Sequence, residues 1–588
     1  MNIIKKILNY FDSNPIPLFV FTSSFFILLT FAGTRLFLSD EGVILDQFYN
    51  LINGSLAIKI AKINTEKGIF IVVGNNLYGL FSYSLLILSL PVYYILKIID
   101  NYYGAHLLIL QLWALSGGMI AYFIMKYKKS GNALKIGVLS SGILFLSNWF
   151  FFEPIYFPKW GELISIEFTN IIITSLIALI IYKLFNIFFG NKIALFASFF
   201  VILATPISFY AITLKHHSLT LFFTLLSIYY FYQHYETKQN KYIFISYVLA
   251  GLCIWTRILD GTVLLISLIV MHFITVKKIN IKYVLSVLSI ILISLIPYLI
   301  FNYLILGTPF SILENTPLTD EGITLETSKD FILLDNNGNN KQSELLDKLG
   351  YKWNSINESF IGIIFSVLFI KLNNTFGVFL VSPFLIIALA FIVYMGKSRI
   401  KLNILDKFFF VYIAILLGAY SLLYILLNIN LFGSIITDTP AVLEYRYLLM
   451  IYIILLYFIL RIDRIKELIE VEFKTIAIVY GVLILLGSIY FIEQFPVRFM
   501  YLYYYVSQLT AVFLLIVVSL NILIKNERFF VITKKLTMFF ISLSIAEASF
   551  LMLFYYWVVS MTYISPSQNF AILPILGNIL KWMYQIFL

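Results

Sequence analysis

The sequence predicts an all-α polytopic membrane protein: a bundle of about 13 transmembrane helices, with outer-face loops and re-entrant or surface helices. Three observations predict it. The 588 residues are 61% hydrophobic and 12% charged, with a mean hydropathy of +0.94. Apolar runs long enough to cross roughly 30 Å of hydrocarbon recur from end to end. Lipid satisfies no backbone hydrogen bonds, so such runs must be helical. Lys and Arg fall between the runs, as expected of cytoplasmic loops. The net charge of +11 is therefore a membrane-topology feature, and no nucleic-acid partner is implied. The single cysteine, Cys253, lies in an apolar run, so there is no disulfide framework.

The elements follow in order. Lys5 and Lys6 precede the first apolar run and hold the N-terminus inside, with no cleavable signal peptide. The first span is expected over about 17–38. Its outer end leads to Asp40 and Glu41, and residues 42–76 are mixed and partly amphipathic, an outer-surface segment. "YGLFSYSLLILSLPVYYILKIID" and "AHLLILQLWALSGGMIAYFIMKYKK" follow. If both crossed fully, Lys126, Lys128 and Lys129 would fall outside. A re-entrant or surface helix interrupted at Pro91 returns them inside and is preferred. The later basic stretches "ETKQNK", "VKKINIK", "GKSRIK", "RIDRIKE" and "KNER" then all come out cytoplasmic. The outside collects residues 153–167, "TLKHHS", the polar insert 307–359 and "FGSIITDTPAVLEYRY". The run 570–588 is a final span or a surface segment. Residues 1–460, including outer loop 39–77 and insert 307–359, form one unit, and 461–588 a set of C-terminal helices.

The unusual polar groups gather on the outer side of this topology. Asp40 and Glu41 either mark the end of the first span or form a paired-acid site. Lys215, His216 and His217 stand between two spans. A histidine at a helix start is commonly a cap, and adjacent histidines point apart. No HExxH spacing occurs, so a divalent metal is left open and no other cofactor is implied. Arg257 and Asp260 interrupt "GLCIWTRILDGTVLL" at a spacing of three, which allows a helical ion pair or an anion site at the outer end of two short helices. Tyr445 and Arg446 open a late span. An arginine entering lipid from outside snorkels or binds phosphate.

Taken in order, these stretches resemble the GT-C class of polyprenyl-phosphate-sugar glycosyltransferases, in particular the branch of protein O-mannosyltransferases and aminoarabinose transferases (glycosyltransferase family 39-like). The resemblance runs through "SDEG", "LYGLFSYSLLILSLPVYY", "ATPISFYAITLKHHSLTLFF", "AGLCIWTRILDG", "FNYLILGTPF", "FGVFLVSPFLIIAL" and "YRYLLMIYIILL", up to about residue 460. It implies a sugar donor on a polyprenyl phosphate, a glycan, lipid or protein acceptor, inversion at the anomeric carbon, and Asp40 as general base with Glu41 its partner. His217 stands where relatives often carry a second acid, and "LYGLFSYS" lacks a lysine found in one branch. Arg257 and Arg446 are the substitute phosphate contacts, and Lys215, His216, His217, Asp260 and Tyr445 are further substrate or phosphate contacts. The implied setting is a prokaryotic plasma membrane with the site facing outside. The alternative reading is a multispan transporter or flippase of a lipid-linked saccharide, which predicts duplicated halves with polar groups at mid-membrane. An O-acyltransferase would need a histidine buried within a span, and a scaffold leaves the outer clusters without a role.

Overall fold

The computed structural model describes residues 15–34, 36, 41–61, 70–275, 281–310, 326–327, 371–372, 375–398, 401–427, 448–494, 499–524, 527–562 and 571–579. Helix α1 (Pro15–Thr30) ends earlier than the expected 17–38. The chain leaves it at Ala32–Gly33 to pair with a distant segment, Gly33 bridging Ala571 antiparallel. Helix α2 (Glu41–Ile52) follows, then β1 (Ile60–Ala61), β2 (Phe70–Val73) and β3 (Asn76–Gly79). Strands β2 and β3 form a hairpin, and β1 pairs in parallel with Glu326–Thr327 of the polar insert. Buried amides of α2 organise this segment. Gln47 donates to the carbonyls of Gly79 and Phe81. Asn50 donates to that of Ile60 and accepts from the Lys59 and Ile60 amides.

Helices α3 (Ser84–Tyr102), α4 (Ala105–Tyr127), α5 (Ala133–Trp149) and α6 (Phe157–Phe189) come next. The expected interruption at Pro91 is not there: α3 runs through it. Proline removes one backbone donor, a loss that neighbouring helices accommodate when the segment is packed, and α3 packs along α6. Helix α3 is tied to its neighbours along its length. At its start Ser82 donates to the Trp255 carbonyl, 2.7 Å, and Tyr83 stacks on Phe301. Midway Tyr93 stacks on Phe157, the first residue of α6. In its last turn Asp100 accepts the Ala105 amide, and the next residue, His106, meets Ile155. Helix α4 then carries Lys126 to the opposite end.

After α6 come α7 (Asn191–Ala204), the one-turn α8 (Ile207–Ala211), α9 (His217–Thr237), α10 (Asn240–Thr256), α11 (Ile258–Thr275), α12 (Ile281–Ser294) and α13 (Ile296–Leu306). The rest comprises α14 (Val378–Val381), a 3-10 turn Pro383–Ile386, α15 (Ile387–Ser398), α16 (Ile404–Leu427), α17 (Leu449–Leu460), α18 (Asp463–Gln494), α19 (Phe499–Ile524) and α20 (Glu527–Thr562). Helices α18 to α20 pack on one another, and α18 and α20 also pack on α7. Among the described residues 6 helices are long and apolar enough to cross a membrane, or up to 7 with the pair in α12–α13, which bends by 41°. Shorter apolar helices such as α1, α5, α7 and α17 fall below that length, which is where the structure and the expected 13 spans part. Helix α6, at 33 residues, reaches about 50 Å at 1.5 Å per residue and so overshoots the hydrocarbon.

The two ends differ chemically. Lys126 closes α4, and Lys238 caps α9 at the end remote from His217. At that remote end Arg461 lies 3.1 Å from the buried Asp406, which also accepts from the Tyr457 hydroxyl. The opposite end carries Glu41, the Lys215–His217 turn and Arg257.

Gly261 is required by a close approach. A Cβ there would drive into the backbone nitrogen and Cα of Ile254, which cannot rotate away. Gly261→Ala is expected to cost about 1–3 kcal/mol through overpacking, seen as an earlier midpoint in a detergent-denaturation titration.

Candidate functional site

The site grows from three breaks in helical structure at one end of the bundle. The first is the start of α2. Glu41 is its first residue, buried at 0% exposure, and its Oε1 accepts the Leu214 amide at 3.1 Å. A carboxylate at a helix N-terminus also meets the positive end of the helix dipole. That bond ties α2 directly to the second break, the turn between α8 and α9.

That turn carries Lys215, His216 and His217. Asn170, inside α6, donates to the carbonyls of Thr213 (2.8 Å) and Lys215 (2.9 Å) and so holds the turn in place. Lys215 is 1% exposed, with its ammonium 4.6 Å from the centre of the Phe81 ring, a cation–π contact. His216 faces Phe81, and His217 packs edge-on against Tyr210, their centroids 4.9 Å apart.

The third break lies between α10 and α11. Arg257 and Asp260 pair as expected, with Arg257 itself extended (φ −151, ψ 114), at the junction of two helices. The amide of Gly261 still returns to the Arg257 carbonyl. Arg257 Nε lies 3.2 Å from Asp260 Oδ2, an ion pair by distance more than an aligned hydrogen bond. Arg257 Nη1 lies 2.8 Å from His217 Nδ1. A guanidinium only donates, so Nδ1 is the bare nitrogen. The imidazole is neutral and carries its proton on Nε2. The guanidinium is thus held on two sides by groups from two different helices.

Arg257 and His216 both line a small cleft of about 60 Å³, walled by Phe81, Tyr83, Trp255 and Phe301, with Ser82 and Asn302 as polar lining. Tyr83 and Phe301 stack at 5.3 Å, and Trp255 lies tilted against Phe301 at 5.7 Å. One wall, α13, is the half-helix beyond the 41° bend. Burial pushes the Tyr83 phenol up to about 12. It stays a neutral donor to the Leu56 carbonyl, 2.8 Å away, and does not act as a base.

Of the residues singled out in the sequence, Glu41, Lys215, His216, His217, Arg257 and Asp260 form one contiguous group. Asp40, Tyr445 and Arg446 lie outside the described residues, as does nearly all of insert 307–359. Among the described residues no three His, Cys, Asp or Glu side chains gather as a metal site. Two participants went unnoticed in the sequence. Glu167 accepts the Gly33 amide at 3.1 and 3.2 Å, and Asn170 braces the turn. Both are buried polar residues inside an apolar helix, which is itself a functional signal in a membrane protein. Asn170→Leu would strip both carbonyls of their partner. The expected loss is about 1–3 kcal/mol, in the same denaturation titration.

Residues 160–301 match the family model described as dolichyl-phosphate-mannose-protein mannosyltransferase. The match takes in Glu167, Asn170, the Lys215–His217 turn, Arg257, Asp260 and most of α13. It leaves Asp40, Glu41, Tyr445 and Arg446 outside. No curated protein and no solved structure matches the chain.

Proposed function

We propose, with the mannosyltransferase match as premise, that this protein is a membrane glycosyltransferase of the GT-C type. It moves a sugar from a polyprenyl-phosphate donor to a hydroxyl of a glycan, lipid or protein at the site end of the bundle, with inversion. The observation that carries the reading is Arg257. A cation fixed by His217 and Asp260 borders an aromatic-walled cleft, at the same end where Glu41 is bound by the Lys215 turn.

The chemistry follows from the leaving group. The acceptor oxygen attacks the anomeric carbon from the face opposite the phosphate, and the bond from that carbon to the phosphate oxygen breaks. The hydroxyl proton passes to the Asp40 carboxylate, because an alcohol is far too weak an acid to ionise alone near pH 7. Glu41 orients or electrostatically supports Asp40. The lipid phosphate departs with the bonding pair and needs cations, not a strong acid. Arg257 supplies that charge, with Tyr445 and Arg446 as further contacts. Lys215, His216 and the Nε2–H of neutral His217 bind the phosphate or the acceptor. The lipid tail stays in the bilayer, which confines the reaction to the membrane boundary.

Purified protein reconstituted in sealed vesicles, offered a panel of radiolabelled polyprenyl-phosphate sugars, tests the reading. Release of free polyprenyl phosphate with sugar recovered on an acceptor is the expected result. Intact donors appearing on the far side of sealed vesicles, with no bond cleaved, would instead identify a flippase.

A further inference from the structure

We propose that His106 is a positioning residue, clasping the tail segment 571–579 against residues 32–33 and so fixing the chain that leads into Asp40 and Glu41. This rests on the reading of those acids as the reacting pair.

His106 is the second residue of α4 and is 4% exposed. Its Nε2 lies 2.7 Å from the Ile572 carbonyl oxygen, and its Nδ1 accepts the Ile155 amide at 3.2 Å. A backbone amide can only donate, so Nδ1 is bare and Nε2 bears the hydrogen. One neutral tautomer satisfies both nitrogens and joins segments 417 residues apart. The ring also stacks on Phe152, at 4.8 Å, and Phe152 in turn on Trp149.

The tail is held at two further points. The Ile572 amide donates to the Ala32 carbonyl at 3.0 Å, within the bridge that pairs Ala571 with Gly33, and the Ile575 amide donates to Asn148 Oδ1 at 3.2 Å. Ala571, Ile572 and Leu573 are buried. On its other side Gly33 is gripped by the Glu167 carboxylate. Residues 32–33 thus sit between two supports drawn from distant parts of the chain. Only residues 34–40 separate them from Glu41, which is anchored in its turn by Leu214. A connection this short, fixed at both ends, limits how far the acids can drift, and a misplacement of about 1 Å is enough to cost 10²-fold in rate.

The test uses the full-length protein and three variants. His106→Leu removes both bonds. His106→Gln can return an amide donor to the Ile572 carbonyl. Asn148→Leu releases the tail at its other anchor and serves where His106→Leu does not fold. Amide exchange of peptides spanning 28–34 and 571–579 is measured beside turnover and donor KM. In His106→Leu, exchange in both peptides is expected to rise about 5- to 30-fold, the effect of losing one or two hydrogen bonds. Turnover is expected to fall while donor KM holds, and His106→Gln to recover part of both. Unchanged exchange at residues 28–34 would overturn the clasp. Raised exchange with unchanged turnover would leave it a structural staple only and overturn the positioning role. Should Asp40→Asn turn over as fast as the unaltered protein, the catalytic reading fails, while the exchange data still decide the clasp.

Discussion

Asp40→Asn is expected to lower sugar transfer by about 10²- to 10⁴-fold, the usual loss on removing a general base. Asparagine keeps the size and one oxygen acceptor but cannot hold the acceptor proton. Donor affinity should change little, because the base meets the acceptor and the phosphate is met by cations. Glu41→Gln should lose much less. Among its contacts is the Leu214 amide, which a glutamine oxygen can still accept. Rates of pre-bound donor, compared across the two variants, separate the proton acceptor from its neighbour.

Arg257 gives the second large effect, and it divides into folding and function. Arg257→Gln leaves Asp260, whose side chain is 11% exposed, without its cation. Breaking a buried pair from one side costs about 3–5 kcal/mol. The shorter glutamine also draws the donor back from His217 Nδ1. Asp260→Asn placed on top should recover most of the stability, since no uncompensated charge remains. It should not recover transfer, which is expected to stay down by about 10²- to 10³-fold, the usual loss of one preorganised transition-state donor. Arg257→Lys should fail as well. A lysine is a single point charge and cannot face His217 and Asp260 together. The pattern to look for is a double variant that melts like the unaltered protein and does not turn over. Recovery of both properties together would reduce Arg257 to a structural ion pair.

The class of fold was legible because hydrocarbon length and backbone satisfaction leave few options for a chain this apolar. The arrangement of charge was legible too. Lys126, Lys238 and Arg461 lie at the end of the bundle remote from Glu41 and Arg257, as the alternation of basic loops predicted. The grouping of Lys215–His217 with Arg257 was approachable because polar residues that interrupt apolar runs must find one another. What stayed hidden depends on contacts between remote segments. Periodicity cannot show that Glu167 reaches Gly33, that Asn170 reaches past two helices to the Lys215 turn, or that Ile572 returns to His106. The break at Arg257 was half legible. A spacing of three suits one helix as well as the ends of two short ones, and the extended backbone of Arg257 decides for the two. The unbroken passage of α3 through Pro91 is the converse: local sequence argued for a break, and packing along α6 carried the helix through.

The central claim is that one end of this bundle binds a lipid phosphate with Arg257 and takes an acceptor proton with Asp40. The most direct measurement follows, side by side, binding of a polyprenyl-phosphate sugar and its single-turnover cleavage by the unaltered protein, Asp40→Asn and the Arg257→Gln/Asp260→Asn pair. The account predicts that Asp40→Asn binds donor and scarcely cleaves it, and that the double variant binds it weakly. Donor bound and cleaved at the unaltered rate by both would contradict it.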